Sequence, residues 1–170
     1  MPTLNEINAM DQAAFTATLG HLFEHSPWVA AETWPLRPFG DVVQLHAALC
    51  STMRLATIER QQALIAAHPD LAGRLALAGK LTAPSTQEQK SAGLDQLEPE
   101  QLETFQRLND AYRTRFGFPF IICARLNARE AIARSMQNRL TNSPAQEFET
   151  ALVEIEKIAR LRLDDLLSRG

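Results

Sequence analysis

"GFPFIICAR", residues 117–125, decides the fold. It is apolar, partly β-branched and too short for a helix, so it alone reads as a strand. A lone strand has nothing to pair with, and no second convincing strand occurs in the 170 residues. The segment is therefore expected as extended, buried chain between helices. Buried extended backbone must still place its N–H and C=O groups on something. Neighbouring side chains are one candidate and a polar ligand is the other.

Helical periodicity dominates on both sides of this segment. Upstream, "PEQLETFQRLNDAYRTRF" spaces Leu102, Phe105, Leu108 and Tyr112 three or four apart, as one buried stripe, and Gly117 stops it. Downstream, Asn127 is expected to start "AREAIARSMQNRL". Ser143-Pro144 starts the last and longest helix, with Phe148, Leu152, Ile155, Ala159 and Leu163 or Leu166 facing inward. Nearer the N-terminus, Thr3 and Glu6 form a capping-box pattern. Asp11 caps a helix bearing Phe15 and Leu19 that stops at Gly20, Ser26-Pro27 opens "SPWVAAETW", and Asp41 caps "VVQLHAALCSTM". A further helix runs through Ile58, Leu64 and Ile65 to His68-Pro69. A polar connection then leads to Ser85-x-x-Glu88, another capping-box match. The expected architecture is all-α: one compact multi-helix domain over residues 1–170, with a single buried extended segment at about 117–125.

The composition is that of a globular chain, at 45% hydrophobic and 22% charged residues, and the length suffices for a real core. A formal charge of −3 gives no general reason to bind nucleic acid or a membrane surface. No run approaches a membrane span, and "MPTLNEINAMDQ" lacks a signal-peptide pattern. Cys50 and Cys123 belong to no CxxC pair and read as buried free thiols. These features point to a reducing, cytoplasmic setting.

Few residues are arranged for chemistry. His21 and His25 are spaced i,i+4, but no third ligand is tied to them, and Gly20 with Pro27 argues against one continuous helix there. His46 reads as a core-edge histidine, and no metal is expected. No Gly-rich phosphate loop, dinucleotide fingerprint or nucleophile elbow is present. An enzyme built from this chain would work with acids, bases and backbone dipoles.

"LIAAHPDLAGRLA", residues 64–76, offers the acid or base. Pro69 disfavours the α conformation at the preceding residue, so the helix should end near Ala67 and hold His68 at its edge. Two readings stay open from the residues alone: a helix-end cation favoured by the dipole, or a catalyst. Glu88 is similarly open between a capping box with Ser85 and chemistry at a helix N-terminus. Gln87 and Gln89 add amides that both donate and accept.

Four blocks in order, "HPDLAGRLA", "LTAPSTQEQKSAGLDQL", "FQRLNDAYRTRFGFPFIICAR" and "EIEKIARLRLDDLL", resemble the 2-oxo-4-hydroxy-4-carboxy-5-ureidoimidazoline (OHCU) decarboxylases of urate degradation. "FEHSPWVAAETW" fits as well, and the blocks cover most of residues 60–166. The resemblance implies an all-α homodimer without metal or organic cofactor, acting on a small molecule to give (S)-allantoin. It implies that His68 is the catalytic acid/base and that Pro69 lines the substrate site. It further implies substrate binding by Ser85, Thr86, Gln87, Glu88 and Gln89, and by Phe120, Ile121, Ile122, Cys123 and Ala124, the latter through backbone groups. It extends the catalytic assignment to Glu88 and substrate binding to Arg125, which closes the last motif. A non-catalytic ureide-binding helical module on the same scaffold is the alternative.

Overall fold

A computed structural model describes residues 1–167. Among them are ten α-helices and two short 3-10 turns, and no strand. The helices are α1 (Leu4–Ala9), α2 (Gln12–Leu19), α3 (Trp28–Thr33), α4 (Val42–Leu55), α5 (Ile58–Ala66), α6 (Arg74–Leu77), α7 (Ala83–Ser91), α8 (Pro99–Phe116), α9 (Arg129–Arg139) and α10 (Pro144–Leu166). The fold is all-α, and the extended segment falls where the sequence placed it. It is shorter than expected, because Ala124–Leu126 turn into a 3-10 helix.

The chain forms two compact units. One comprises Met1–Ala67 with the chain from Glu156 onward, and the other comprises His68–Ile155. The first unit shows the expected caps. Thr3 and Glu6 make a reciprocal capping box, with Thr3 N–H donating to Glu6 at 2.7 Å. Asp11 and Asp41 accept from Ala14 N–H at 2.8 Å and Gln44 N–H at 2.7 Å. Such caps each hold a helix start by about 1 kcal/mol. Phe15, Leu19, Leu45 and Leu49 are fully buried. The Thr33 and Thr52 hydroxyls meet at 2.7 Å between α3 and α4. Gln61 of α5 caps the end of α4, donating to Met53 C=O at 3.2 Å and Arg54 C=O at 2.9 Å.

Two expectations shift in register. Pro27, not Ser26, is the N-cap of α3, and the Ser26 hydroxyl donates to Glu24 C=O at 2.9 Å. Helix α9 starts at Arg129 after Ala128, while the Asn127 amide donates to Cys123 C=O at 3.0 Å. Ser143 does cap α10. Cys50 is half-buried rather than buried, with its sulfur 3.3 Å from His46 Nε2. Burial, reinforced by Glu156, pushes the Cys50 thiol up to about 12. His21 and His25 both lie beyond the end of α2 and are exposed.

The second unit has its own core. Leu71, Ala92, Leu94, Phe105, Leu108, Tyr112, Phe120, Ile122, Ile132 and Met136 pack together, with Phe116 and Phe118 against them. The rings of Tyr112 and Phe120 meet edge-on at 5.3 Å between centroids. Gly117 adopts φ +78° at the end of α8, which turns the chain into the extended segment. That segment therefore begins at a hard helix stop and lies in the core on its apolar side chains.

Candidate active site

Helix α5 ends at Ala66 with Ala67 as its cap, and His68 follows at once. The sequence-based break is thus found within a residue of its expected place. His68 is only 7% exposed, which does not suit a solvated helix-end cation. The loop after it is tied down from two helices. Gln89 of α7 accepts from Ala72 N–H at 2.9 Å and donates to Asp70 C=O at 3.3 Å. From α8, Asn109 donates to Leu71 C=O at 2.8 Å, and Arg113 Nε reaches the Asp70 carboxylate at 2.8 and 3.1 Å.

These ties hold an unfavourable backbone. Ala72 has φ +50°, a conformation that costs an L-residue roughly 1–2 kcal/mol. Gly73 has no room for a side chain, since a Cβ would stand 2.7 Å from Asp70 Cβ. "HPDLAG" is therefore a rigid mount for its first residue.

Helix α7 carries the Ser-to-Gln run, but not as a capping box at Ser85. The N-cap is Thr82, whose hydroxyl accepts from Ser85 N–H at 3.4 Å. Pro84 lies inside the first turn, where its missing N–H costs nothing. Glu88 is thus the sixth residue of the helix and cannot reach back to cap its start. Ser85 and Gln89, one turn apart, are the buried face of α7. Glu88 is half-buried, and Thr86 and Gln87 are exposed. The Thr86 hydroxyl returns to Thr82 C=O at 3.0 Å. Thr86 and Gln89 also line a cavity of about 350 Å³ with Ala76, Leu77, Leu94 and Leu102.

Helix α7 packs against the Ala124–Leu126 turn, which brings the second and third groups of expected site residues together. Phe120, Ile121, Ile122, Cys123 and Ala124 are all buried, and Arg125 is exposed. The Cys123 thiol is pushed up by burial, then by Glu154 and by Glu88, so it stays protonated near neutrality. Its side chain is no nucleophile.

The backbone of this segment answers the question its sequence raises. Cys123 N–H donates to Glu154 Oε2 at 2.7 Å, and Arg139 Nη1 donates to Ile121 C=O at 2.8 Å. The Arg139 guanidinium also lies 4.2 Å from the centre of the Phe120 ring. Arg139 Nε bonds Glu147 Oε2 at 2.9 Å, and Glu147 further receives the Tyr112 hydroxyl and the Asn142 amide. Burial and the bond to Glu147 push the Tyr112 phenol well above its usual range. Among the described residues, no hydrogen bond reaches the N–H or C=O of Ile122.

Asn109, Arg139, Glu147 and Glu154 were not singled out from the sequence. The available signal was a polar residue falling inside an apolar helical stripe, as Asn109 does between Phe105 and Tyr112. No cluster of three or more metal-ligating side chains occurs among the described residues. No helix among them is long and apolar enough to cross a membrane.

Comparison with known proteins gives one answer. The family model described as OHCU decarboxylase matches residues 8–164, a span that includes parts of both units. The 2-oxo-4-hydroxy-4-carboxy-5-ureidoimidazoline decarboxylase of Halalkalicoccus jeotgali is 43% identical over 164 residues, covering 96% of this chain and 91% of that protein. The protein of the same name from Haloferax volcanii is 43% identical over 166 residues, covering 98% and 96%. Among solved structures, an (S)-allantoin synthase superposes with a TM-score of 0.81 at 28% identity, covering 99% of this chain and 54% of that one. With the family model matched over residues 8–164 and relatives 43% identical over nearly the whole chain, the chain belongs to the OHCU decarboxylase family.

Proposed function

We propose that this chain removes carbon dioxide from OHCU to yield (S)-allantoin in urate degradation, with His68 as the general acid/base. The observation that carries this reading is the burial of His68 on a loop fixed by Gln89, Asn109 and Arg113. A mobile or solvated imidazole could not select one face of a planar intermediate.

The substrate carries carboxylate and hydroxyl on one ring carbon, next to a C=N carbon that bears the ureido group. As the C–CO₂ bond breaks, its electron pair forms a C=C bond and the C=N pair moves onto nitrogen, which takes a proton. The resulting enol then loses its hydroxyl proton and gains one at the ureido-bearing carbon. The net change is loss of carbon dioxide and gain of one proton, so the substrate is its own electron sink. The protein's tasks are orientation, charge stabilisation and delivery of one proton to one face. Imidazole, whose unperturbed pKa in free histidine is ~6.5, is the usual side chain for proton transfer of this kind near neutrality.

Glu88 holds the hydroxyl or orients the imidazole. Ser85 and the remaining N–H of Gln89 hold ureido or ring amide groups, its other bonds being committed to the loop. Pro69 and Phe120 line the apolar side, and the main chain of Ile121, Ile122, Cys123 and Ala124 meets the ring edge. Thr86, Gln87 and Arg125, being exposed, form the rim. The family match over residues 8–164 supports one functional domain over residues 1–170. A cytoplasmic homodimer needing no cofactor completes the reading, and sedimentation equilibrium tests the dimer.

The decisive assay supplies OHCU freshly generated from urate and follows the allantoin enantiomer by chiral chromatography. The wild type should accelerate decay and give (S)-allantoin in excess, and His68→Ala should lose both. A folded His68→Ala protein that still makes (S)-allantoin at near wild-type rate overturns the assignment.

A further inference from the structure

Ile122 stands between two unusual peptide bonds. The peptide joining Ile121 to Ile122 has its C=O held by the Arg139 guanidinium at 2.8 Å. The peptide joining Ile122 to Cys123 has its N–H held by the Glu154 carboxylate at 2.7 Å. In a planar trans peptide the C=O and N–H point in opposite directions. In extended chain, with Ile121 C=O and Cys123 N–H turned toward Arg139 and Glu154, the N–H and C=O of Ile122 therefore turn the other way. Neither of those two groups has a hydrogen-bond partner among the described residues.

The charges act through the peptides. A cation on a carbonyl oxygen draws electron density from the amide and makes its N–H a stronger donor. A carboxylate on an N–H pushes density the other way and makes the C=O a stronger acceptor. Such polarisation strengthens successive hydrogen bonds by about 10–30% each, and most where water is excluded. Ile122 is 8% exposed. Arg139 is itself neutralised by Glu147, so the arrangement is stable without a ligand's charge.

We propose that Arg139 and Glu154 are positioning residues that polarise the two peptides flanking Ile122. Its N–H and C=O then form a matched donor–acceptor pair for the N–H/C=O edge of a cyclic ureide. A ring lactam presents its N–H and C=O side by side, as a single extended residue does, so the two edges are complementary. This rests on the reading of the site as an OHCU decarboxylase and names which groups recognise the ring.

The test compares steady-state kinetics of wild type, Glu154→Gln, Arg139→Lys and Tyr112→Phe with OHCU, alongside thermal melting and (S)-allantoin titration. Wild-type turnover comes first, because its absence defeats the underlying reading whatever the variants do. Glu154→Gln keeps an oxygen for Cys123 N–H and removes the charge. It should raise KM and the Kd for (S)-allantoin on the order of fivefold while kcat stays within about twofold, since a neutral acceptor bonds about half as strongly. Arg139→Lys, where it folds, should shift KM in the same direction. Tyr112→Phe, which leaves both contacts in place, should lower Tm with KM unchanged. With an active wild type, a folded Glu154→Gln protein whose KM and allantoin Kd match wild type overturns the proposal. So does a loss confined to Tm and kcat.

Discussion

Along α7 the polar groups are side chains: Ser85 and Gln89 on the buried face, with Glu88 half-buried beside them. Along residues 119–123 the side chains are apolar and the polar groups are main chain. The two regions are neighbours through the packing of α7 on the Ala124–Leu126 turn, yet they respond to mutation in opposite ways. Changing a residue on α7 removes a functional group. Changing a residue in the extended segment leaves every N–H and C=O where it was, and only its distant supports can disturb them.

The largest effect lies outside the contrast and sets its scale. His68→Ala should lower kcat/KM by roughly 10²–10⁴-fold, the usual contribution of a general acid or base, with near-normal circular dichroism. On the side-chain wall, Gln89→Ala removes both ties to the His68 loop. Leaving Ala72 N–H and Asp70 C=O short of partners should cost about 2 kcal/mol, or about 4–8 °C in Tm, with kcat falling too. Unchanged melting would mean the loop is held without α7. Glu154→Gln comes next, with its fivefold rise in KM expected from the loss of one charge. Ile122→Val should be the mildest: about 1 kcal/mol of stability from the lost methylene, and KM within twofold. A large rise in KM for Ile122→Val would break the contrast, because the side chain and not the main chain would then be meeting the substrate.

The thiols sharpen it further. Cys50 and Cys123 both have raised pKa values, so at pH 8 each stays protonated, and the thiolate forms only as the pH climbs toward the raised value. Iodoacetamide should label both more slowly than free cysteine at that pH. Rapid labelling of Cys123 would put side-chain chemistry back into the extended segment.

The same contrast explains what could be read from the sequence. The position of the His68-Pro69 break was legible because it follows from the end of α5, and the polar make-up of Ser85–Gln89 because it lies in the residue types. The cap of α7 was misplaced by three residues, since proline is tolerated anywhere in the first turn and Pro84 did not mark the boundary. The extended segment was legible as apolar, buried and non-helical, but not in what serves its backbone. Arg139 lies 18 residues beyond Ile121, and Glu154 lies 31 beyond Cys123. No local pattern links positions that far apart, and both residues resemble ordinary solvated charges on amphipathic helices until the fold buries them.

Helix α10 carries both Glu147 and Glu154, and this imposes a condition on chain length rather than on residue identity. The two carboxylates are seven residues apart, close to two full turns, so they share one side of the helix. One residue inserted or deleted between them would swing Glu154 by about 100° and detach it from Cys123 without altering either glutamate. Divergence in this family should therefore accept substitution at the less buried of residues 148–153, such as Glu149, and almost no change in their number, whereas loops that carry no such phase relation are free to lengthen.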